Sequence, residues 1–417
     1  MEKRRRQKRF GVRHPDVTPT QIVFVVAALI AFAVTLQISV AGAFRTKYPA
    51  LALAWVPLDA EARGQLAANL VSIEPSQQAR QRAVLLARDA IRRSPLESAP
   101  LRALALAEKS GSFDSSPKVM DLLLESQRLS RRDRATQLQL FEQYLLRNDI
   151  SAAMRSVDVV LRTSSDRTAL FSLLTAASAD NPAFAIALKD KLSERPEWAW
   201  PFTVHLISES RNGAQLVSLS EAALDPTTTE GMQAVRALLQ KLAELQEYDL
   251  AWNLLSSLKL AKTGTVTDGD FEGTDGFPPF WWMVSQEGDF WAERDIGPEG
   301  RGRVLRLVAL SGRAGDVARQ LVRLAPGAYR ISAVVGDVPN AAFERPTVRM
   351  YCANQKQTVL LGLRPSSSGV PPRQIGGRVV VPQGCSFQWL AIHIAGDRLQ
   401  ADAAPWIDDI RLTPLGS

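Results

Sequence analysis

The sequence has few of the residues that build metal and thiol sites. Its 417 residues include two cysteines and three histidines, which are Cys352, Cys385, His14, His205 and His393. A structural zinc site takes four cysteine or histidine ligands at characteristic spacings, and these residues do not provide that pattern. A Cys/His zinc site is therefore not expected.

Catalytic motifs are lacking as well. The sequence contains no Gly-x-Ser-x-Gly elbow, P-loop, dinucleotide fingerprint, His-Glu-x-x-His or Cys-x-x-Cys motif. Acidic residues are plentiful, but nothing in the sequence marks two of them as a glycosidase pair. We therefore nominate no catalytic residue and no required cofactor, and we expect a protein that is not an enzyme.

The net positive charge is small outside the N-terminus. Residues 1–19 carry seven cationic and two acidic side chains, which accounts for +5 of the formal net charge of +7. The rest of the chain is close to neutral, so nucleic-acid binding is not expected. With 46% hydrophobic and 22% charged residues, the chain has the composition of folded protein. At about 100–200 residues per domain, its length predicts two or three domains.

A single long apolar run, residues 22–43, contains no charged side chain. As a helix with a rise of about 1.5 Å per residue, it is about 33 Å long and crosses a hydrocarbon core of about 30 Å. Cationic residues are concentrated before the run. The positive-inside rule therefore predicts a basic cytoplasmic tail (1–21), a transmembrane helix (22–43) and export of the remaining chain.

The competing interpretation is a cleaved signal peptide, in which Ala41, Gly42 and Ala43 form the cleavage site. The apolar run exceeds the ~7–15 residues of a signal-peptide core, which favours an uncleaved anchor. Both interpretations export the rest of the chain. The predicted location is the inner membrane of a bacterial-type cell, with the bulk of the protein in the periplasm.

Residues 44–262 are predicted to form an all-α array of helical hairpins. Apolar residues recur there at helical spacing, and short polar breaks separate segments of about 12–18 residues. Three of these breaks contain Ser94, Ser130 and Ser164, which lie 36 and 34 residues apart.

A period near 34 residues with two helices per unit resembles the tetratricopeptide repeat (TPR). The Trp-Leu-Gly-Tyr consensus of that repeat is missing, and five or six hairpins fit before Lys262. The resemblance implies a solenoid whose concave surface binds a peptide or an envelope protein. The alternative is a spacer that holds the next domain away from the membrane.

Residues 263–417 are predicted to form an all-β jelly-roll sandwich. A linker of small residues, 263–269, precedes short β-forming runs separated by Pro-Gly, Gly-Asp and Gln-Gly turns. Eight or nine such strands indicate two packed antiparallel sheets. The region has 16 basic and 16 acidic residues and is neutral overall. The clearest strands are 303–310, 317–324, 328–335, 347–352 and 386–394.

Three segments resemble the carbohydrate-binding-module-like (galactose-binding-like) jelly rolls. Residues 268–272, followed by 279–282, resemble the opening strand of these modules, and residues 324–331 resemble their central hairpin. Residues 406–412, Trp-Ile-Asp-Asp-Ile-Arg-Leu, resemble the closing strand. The segments occur in the order of the family, which implies its fold. The resemblance says less about sugar binding, because the same fold also serves modules without a sugar ligand.

The same resemblance implies a structural calcium ion held by acidic groups of the first and last strands. The matching positions are Glu272 and Asp409, with Asp270 or Asp408 nearby. Calcium takes six to eight oxygen ligands, which carboxylates and backbone carbonyls at two strand ends can supply. The alternative is that these aspartates end an edge strand or pair with arginines such as Arg411.

Cys352 and Cys385 both fall on predicted strands of the exported region. Cysteines in an oxidising compartment usually pair, so a Cys352–Cys385 disulfide is predicted. The alternative is two buried free thiols.

Tryptophans are candidates for glycan contacts, because a flat indole can stack on the apolar face of a sugar ring. Trp281 and Trp282 are adjacent, so strand alternation is expected to turn one of them inward and one outward. Packing in the core is the commoner role of any single tryptophan, and it stays the alternative for each of them.

Trp389 lies on a strand with two distinct faces. Phe387, Ala391 and His393 share its face, which we interpret as an exposed aromatic face with Trp389 and His393 as glycan-binding candidates. The alternative for His393 is a structural hydrogen-bonding role. The other face is mainly aliphatic and is predicted to be core: Gln388, Leu390, Ile392 and Ile394.

These features together predict a non-catalytic, membrane-anchored scaffold or adaptor in cell-envelope or exopolysaccharide assembly. Its helical repeats would bind a protein, and its β-sandwich would bind a glycan or a second protein. One alternative is a polysaccharide-processing hydrolase that the sandwich directs to its substrate. Another is a stalk whose jelly roll has lost sugar affinity.

Overall fold

The computed structural model describes residues 19–74, 76–109, 116–261, 265–286, 288–354, 358–396 and 404–415. The cationic residues up to position 18 and the linker residues Thr263 and Gly264 lie outside this range. Two compact units divide the chain between Arg167 and Thr168. The second unit contains helices as well as the predicted β-region.

The first unit begins with helix α1, Pro19–Phe44. Its segment Val26–Phe44 has a mean hydropathy of 2.1 and the length and composition of a membrane-spanning helix. Most of its described side chains are exposed, but Ala41 is buried against Ala52 and Ala62. The end of the apolar helix is therefore packed onto the helices that follow.

Among the described residues of the first unit, seven helices follow α1, and each packs against the next one along the chain. Helix α3 also contacts α5, and α5 also contacts α7, so alternate helices lie side by side. Five of the seven begin at a serine or aspartate whose side chain accepts a backbone N–H, which is typical of helix N-termini. The helices are α2 (Pro49–Trp55), α3 (Ala60–Ile73), α4 (Gln77–Arg93), α5 (Ser98–Glu108), α6 (Pro117–Leu129), α7 (Arg134–Leu146) and α8 (Ile150–Thr163).

The recurring serines of the sequence mark helix ends. Ser94, Ser130 and Ser164 are the C-terminal caps of α4, α6 and α8, the second helices of three successive pairs. The predicted helical region and its paired periodicity are therefore present. Membership in the TPR family stays a prediction.

In the described part of the second unit, six helices precede the strands, and the last of them, α14, lies next to the candidate site. They are α9 (Thr168–Asp180), α10 (Pro182–Ser193), α11 (Ala199–Glu209), α12 (Gly213–Ala223), α13 (Thr229–Glu244) and α14 (Tyr248–Ser257). Helix α14 packs against α12 and α13. Its buried residues include Tyr248 and Leu255.

Ten strands among the described residues form two five-stranded antiparallel sheets, which confirms the predicted β-sandwich. Sheet A has the order β1-β4-β9-β6-β7 and sheet B the order β2-β3-β10-β5-β8. The strands are β1 (Met283–Val284), β2 (Phe290–Ile296), β3 (Arg303–Ala309), β4 (Arg313–Arg323), β5 (Gly327–Gly336), β6 (Thr347–Cys352), β7 (Val359–Leu363), β8 (Arg373–Val381), β9 (Phe387–Gly396) and β10 (Trp406–Pro414).

The core lies between the two sheets. The aliphatic face of β9 contributes Leu390, Ile392 and Ile394, as predicted, and β10 contributes Ile407 from the opposite sheet. Gln388 is also fully buried on the inner side, where its side-chain amide oxygen Oε1 accepts the Leu324 N–H at 3.1 Å. This bond satisfies a polar group that would otherwise destabilise the core.

Two of the resembling segments adopt a different local structure from the one expected. Residues 268–272 form a turn and not an opening strand, because Asp268 and Phe271 have φ angles of 56° and 54°. An extended strand does not accommodate this left-handed conformation. The segment lies beside β10, where the Gly269 carbonyl accepts the Ile410 N–H at 2.8 Å.

The second correction concerns residues 324–326. They connect β4 in sheet A with β5 in sheet B, so they cross between sheets and do not close the expected hairpin. The Tyr329 hydroxyl donates to the Ala325 carbonyl at 2.9 Å and holds this corner. The third segment forms the closing strand β10, as expected.

Candidate functional site

The adjacent tryptophans do not alternate between core and solvent. Trp281 is 7% exposed and Trp282 is 4% exposed, so the expectation that one of them faces outward is wrong. The Trp282 indole N–H donates to the Asp268 carbonyl at 2.9 Å, which fixes its ring inside the sandwich. The Arg294 guanidinium lies 5.9 Å from the Trp281 ring centre. Both indoles are thus buried.

Helix α14 covers one end of the aromatic face on the outer side of sheet A. Tyr248 of α14 lies 5.9 Å from the ring of Phe387 and 6.4 Å from that of Trp389. Trp389 is consequently only 5% exposed. It does point away from the sandwich core, as predicted, but the expectation that it is exposed is wrong, because a helix of the same unit packs on it.

Aromatic contacts extend this helix–sheet contact. Trp252 of α14 packs edge-to-face on Phe280, with the ring centres 5.2 Å apart. The Arg323 guanidinium lies 5.5 Å from the Trp252 ring and 5.8 Å from the Phe387 ring. Aromatic and cation–π contacts of this kind stabilise packing beyond the burial of apolar area. This end of sheet A is thus a packing surface within the second unit.

The rest of the outer side of sheet A carries a polar strip, which we define as Asp316, Arg319, Tyr351 and His393. His393 Nδ1 and the Asp316 carboxylate are 2.9 Å apart. The Arg319 guanidinium lies 4.8 Å from the Trp389 ring centre, and its positive charge acts on the nearby Tyr351 hydroxyl. Burial raises the pKa of Tyr351, and the nearby Asp316 carboxylate adds to this rise. At neutral pH its hydroxyl therefore stays protonated and able to donate a hydrogen bond.

The strand register explains how these residues meet. Asp316 on β4 lies opposite His393 on β9, and Tyr351 on β6 lies opposite Trp389 on β9. The strip thus draws on three neighbouring strands. All four side chains retain some exposure. The strip offers a carboxylate, an imidazole, a phenol and a guanidinium, which together donate and accept hydrogen bonds as sugar hydroxyls require.

A second polar surface lies on the outer side of sheet B. A groove of about 310 Å³ is lined by Ser332 and Val334 of β5, by Arg301, Arg373 and Arg411, and by Asp409. Burial raises the pKa of Asp408, whose carboxylate lies 3.4 Å from Arg301. The groove differs from the strip on sheet A because arginine dominates it.

The carboxylates proposed for calcium are engaged by other groups. Glu272 accepts the Arg303 N–H at 2.6 Å, and Asp409 accepts from Arg411 at 2.9 Å. Among the described residues, no cluster of three or more His, Cys, Asp or Glu side chains is arranged to hold a metal. The present arrangement thus suits arginine and backbone donors better than calcium. Calcium binding at Glu272 and Asp409 stays a prediction, and no step of the proposed function depends on it.

The predicted disulfide is present. Cys352 at the end of β6 and Cys385 just before β9 are bonded, with their Cα atoms 5.5 Å apart. Both cysteines are buried. The bond ties two neighbouring strands of sheet A beside the aromatic contact.

Of the glycan-binding candidates, the structure leaves only His393 partly open to solvent. The sequence pattern did not indicate its neighbours Asp316, Arg319 and Tyr351. Arg319 and Tyr351 lie on strands that the sequence predicts, so the alternation of side chains along each strand indicates which side of the sheet they face. Their approach to His393 depends on which strands pair, and a strand pattern does not specify this pairing.

Neither a protein-family model nor a curated protein matches the sequence. Among solved structures, the chain is similar to the CBM22-2 xylan-binding domain of Paenibacillus barcinonensis Xyn10C. The identity is 13% over 35% of this chain and 98% of that domain, with a TM-score of 0.25. It is similar to a CBM4 structure at 16% identity over 36% of this chain and 99% of that one, with a TM-score of 0.27.

A further similarity is to the enzymatically active domain of tailspike protein 4 from bacteriophage CBA120. It has 13% identity, covers 36% of this chain and has a TM-score of 0.27. This chain spans 21% of the length of that tailspike chain. At such TM-scores, these similarities carry no conclusion about ligand or activity.

Proposed function

We propose that this protein is a non-catalytic, membrane-anchored scaffold in cell-envelope or exopolysaccharide assembly, with its bulk in the periplasm. Its β-sandwich binds a glycan, and its helical region binds an envelope protein. The observation that carries the glycan assignment is the polar strip on sheet A. It combines hydrogen-bond donors and acceptors on one solvent-accessible surface next to an aromatic patch.

The strip has features that a neutral sugar requires. His393 and Asp316 fix one another at 2.9 Å, so their orientation exists before a ligand arrives. Such preorganisation reduces the entropy lost on binding. The Tyr351 ring lies on the same surface and supplies a partly apolar contact for a sugar ring. The strip is thus suited to a short stretch of glycan lying across three strands.

The helical region is suited to a different partner. Its first unit places α3, α5 and α7 side by side, as stacked hairpins would. Arrays of this type form extended surfaces that bind peptides or proteins. This supports an adaptor that joins a glycan to an envelope protein near the membrane.

A second candidate function is purely structural, and the contact of α14 with sheet A favours it. Tyr248 covers Phe387 and Trp389, so part of the sandwich surface already serves as a packing surface. In this alternative the sandwich binds no glycan and only positions the helices of the second unit.

Glycan binding by the strip is tested with the full-length protein in detergent micelles. We expect the protein to retain neutral oligosaccharides on a glycan array. We expect Tyr351→Ala and His393→Ala each to weaken binding of the best oligosaccharide by about 2- to 13-fold. One lost hydrogen bond contributes ~0.5–1.5 kcal/mol, which corresponds to this range. Isothermal titration calorimetry measures the dissociation constants.

The matched control is His205→Ala, which removes a half-buried histidine on helix α11, outside the sandwich. Its affinity should equal that of the unmodified protein. Two results would contradict the proposal: a protein that binds no neutral glycan, which supports the structural alternative, or equal losses in the control and strip variants. Turnover of the bound glycan would contradict the non-catalytic assignment.

A further inference from the structure

Positive charge is concentrated on one half of the outer side of sheet B. We define this arginine face by five residues on or beside strands β5, β8 and β10: Arg301, Arg330, Arg373, Arg378 and Arg411. Two aspartates, Asp408 and Asp409, lie among them and pair with Arg301 and Arg411. Because residues 263–417 are neutral overall, this excess is a local separation of charge.

Two of these arginines face each other directly. Arg330 on β5 and Arg378 on β8 are partners in the antiparallel register. Both side chains are exposed, and neither has an ion-pair partner within the described part of the chain. Like charges placed directly opposite on neighbouring strands destabilise a sheet. A bound anion would remove this repulsion.

A third arginine is held in place by the surrounding backbone. The Arg373 guanidinium donates to the carbonyls of Ser367 at 3.0 Å and Ser368 at 2.9 Å. Gly369 has a φ of 143°, and a Cβ there would lie 2.5 Å from Arg373 Nη2, so the absence of a side chain admits the guanidinium. Arg373 Nε is buried and has no hydrogen-bond partner among the described residues. Arg373 therefore lines the groove in a fixed position.

The chemistry of the face indicates the class of ligand. Its cations are all arginine. The planar guanidinium can donate two parallel hydrogen bonds to one carboxylate, which the ammonium group of lysine cannot do. Trp406, at the end of the face, is fully buried, with its ring 5.8 Å from the Arg301 guanidinium. The described part of the face thus offers no exposed aromatic ring for stacking nucleic-acid bases.

We propose that the arginine face binds an acidic polysaccharide through its carboxylate groups. Arg330 and Arg378 contact one part of the polymer, and Arg373 and Arg411 contact a further carboxylate in the groove. This site lies on the opposite sheet from the polar strip, so it adds a second, charge-selective glycan site to the proposed function.

The test uses the full-length protein in detergent micelles and alginate oligosaccharides, which carry a carboxylate on each sugar. We expect Arg330→Gln/Arg378→Gln to weaken alginate binding about tenfold or more, because two charge-assisted contacts are lost. Arg330→Lys/Arg378→Lys keeps the positive charge but removes the planar guanidinium that donates two hydrogen bonds to a carboxylate. This variant should lose part of the alginate affinity. The control Arg82→Gln/Arg88→Gln removes the same charge from two exposed positions of helix α4 and should bind like the unmodified protein.

Several outcomes would overturn the proposal. These are unchanged affinity in the glutamine pair, equal loss in the control pair, and full affinity in the lysine pair. Tighter binding to phosphatidylglycerol vesicles or to single-stranded DNA than to alginate would also overturn it. Thermal unfolding of each variant shows that the fold is intact.

The two glycan sites can fail separately. His393→Ala should leave alginate binding intact, and the glutamine pair should leave neutral oligosaccharide binding intact. If the unmodified protein binds alginate but no neutral oligosaccharide, only the proposal for the polar strip is contradicted. If it binds neutral oligosaccharides but not alginate, only the proposal for the arginine face is contradicted.

Discussion

Replacing Arg102 by methionine is expected to lower the free energy of unfolding of the first unit by about 3–5 kcal/mol, because it leaves a partner charge without compensation. Arg102 is 3% exposed and forms an ion pair with Asp133. Its second terminal nitrogen donates to the Gln65 side chain at 2.6 Å. The methionine would fill the space but would satisfy neither group.

The position of this ion pair explains the size of the effect. Gln65, Arg102 and Asp133 lie on or next to α3, α5 and α7, the helices that pack side by side. The Asp133 carboxylate also caps α7 and accepts the Thr136 hydroxyl at 2.7 Å. One guanidinium therefore links three helices. Its loss would disturb both their packing and a helix N-terminus.

The measurement is urea unfolding of the full-length protein in micelles, followed by the far-ultraviolet circular dichroism of the helices. The matched control is Arg128→Met, which removes an exposed arginine paired with Glu125 three residues earlier. An exposed pair contributes ~0.2–1 kcal/mol, so this variant should change little. Equal shifts in the two variants would contradict a special role for the Arg102 pair.

Removing the disulfide with Cys352→Ala/Cys385→Ala is expected to cost the sandwich roughly 3–4 kcal/mol of unfolding free energy. The bridge joins cysteines 33 positions apart. In the chain-entropy model, closing a loop of this length lowers the conformational entropy of the unfolded chain and so stabilises the folded state by about this free energy. The measurement is urea unfolding followed by tryptophan fluorescence. Five of the nine tryptophans lie in residues 263–417.

Reduction provides the internal control for this prediction. Dithiothreitol should destabilise the unmodified protein by a similar amount and should leave the alanine pair unchanged. An unmodified protein whose unfolding midpoint is insensitive to dithiothreitol would contradict the predicted role of the bridge.

Local features were predictable where local chemistry decides them. Ser94, Ser130 and Ser164 end helices as their spacing indicated, and the inner face of β9 follows simple alternation. The closing strand was also recognisable from its residues. In each case, the deciding interactions are short in sequence or follow the period of a single element.

Surface exposure was not predictable, because it depends on partners distant in sequence. Trp389 points away from the core as alternation requires, but Tyr248, far away in the sequence, covers it. The prediction for Trp281 and Trp282 was wrong for another reason. Neither residue belongs to a strand, so the alternation of side chains along a strand does not apply to them. The expected opening strand failed because Asp268 and Phe271 adopt positive φ.

The two proposed glycan surfaces were also not predictable, because each depends on strands that are distant in sequence. The polar strip requires β4, β9 and β6 to be neighbours, and the arginine face requires β5 to pair with β8. The net charge of residues 263–417 is zero, so it does not indicate a local excess of arginine. That excess arises from which strands are adjacent, and amino-acid composition does not specify strand order. Pairing of distant strands is the information that the sequence pattern lacks.

The proposed function requires delivery of the chain after the apolar helix to the periplasm, where envelope glycans occur. It is tested most directly by fusing a reporter that is active only in the cytosol to the C-terminus of the full-length protein. We expect this reporter to be inactive, while a reporter that requires export should be active at the same position. Strong cytosolic activity would contradict the topology and, with it, the envelope role.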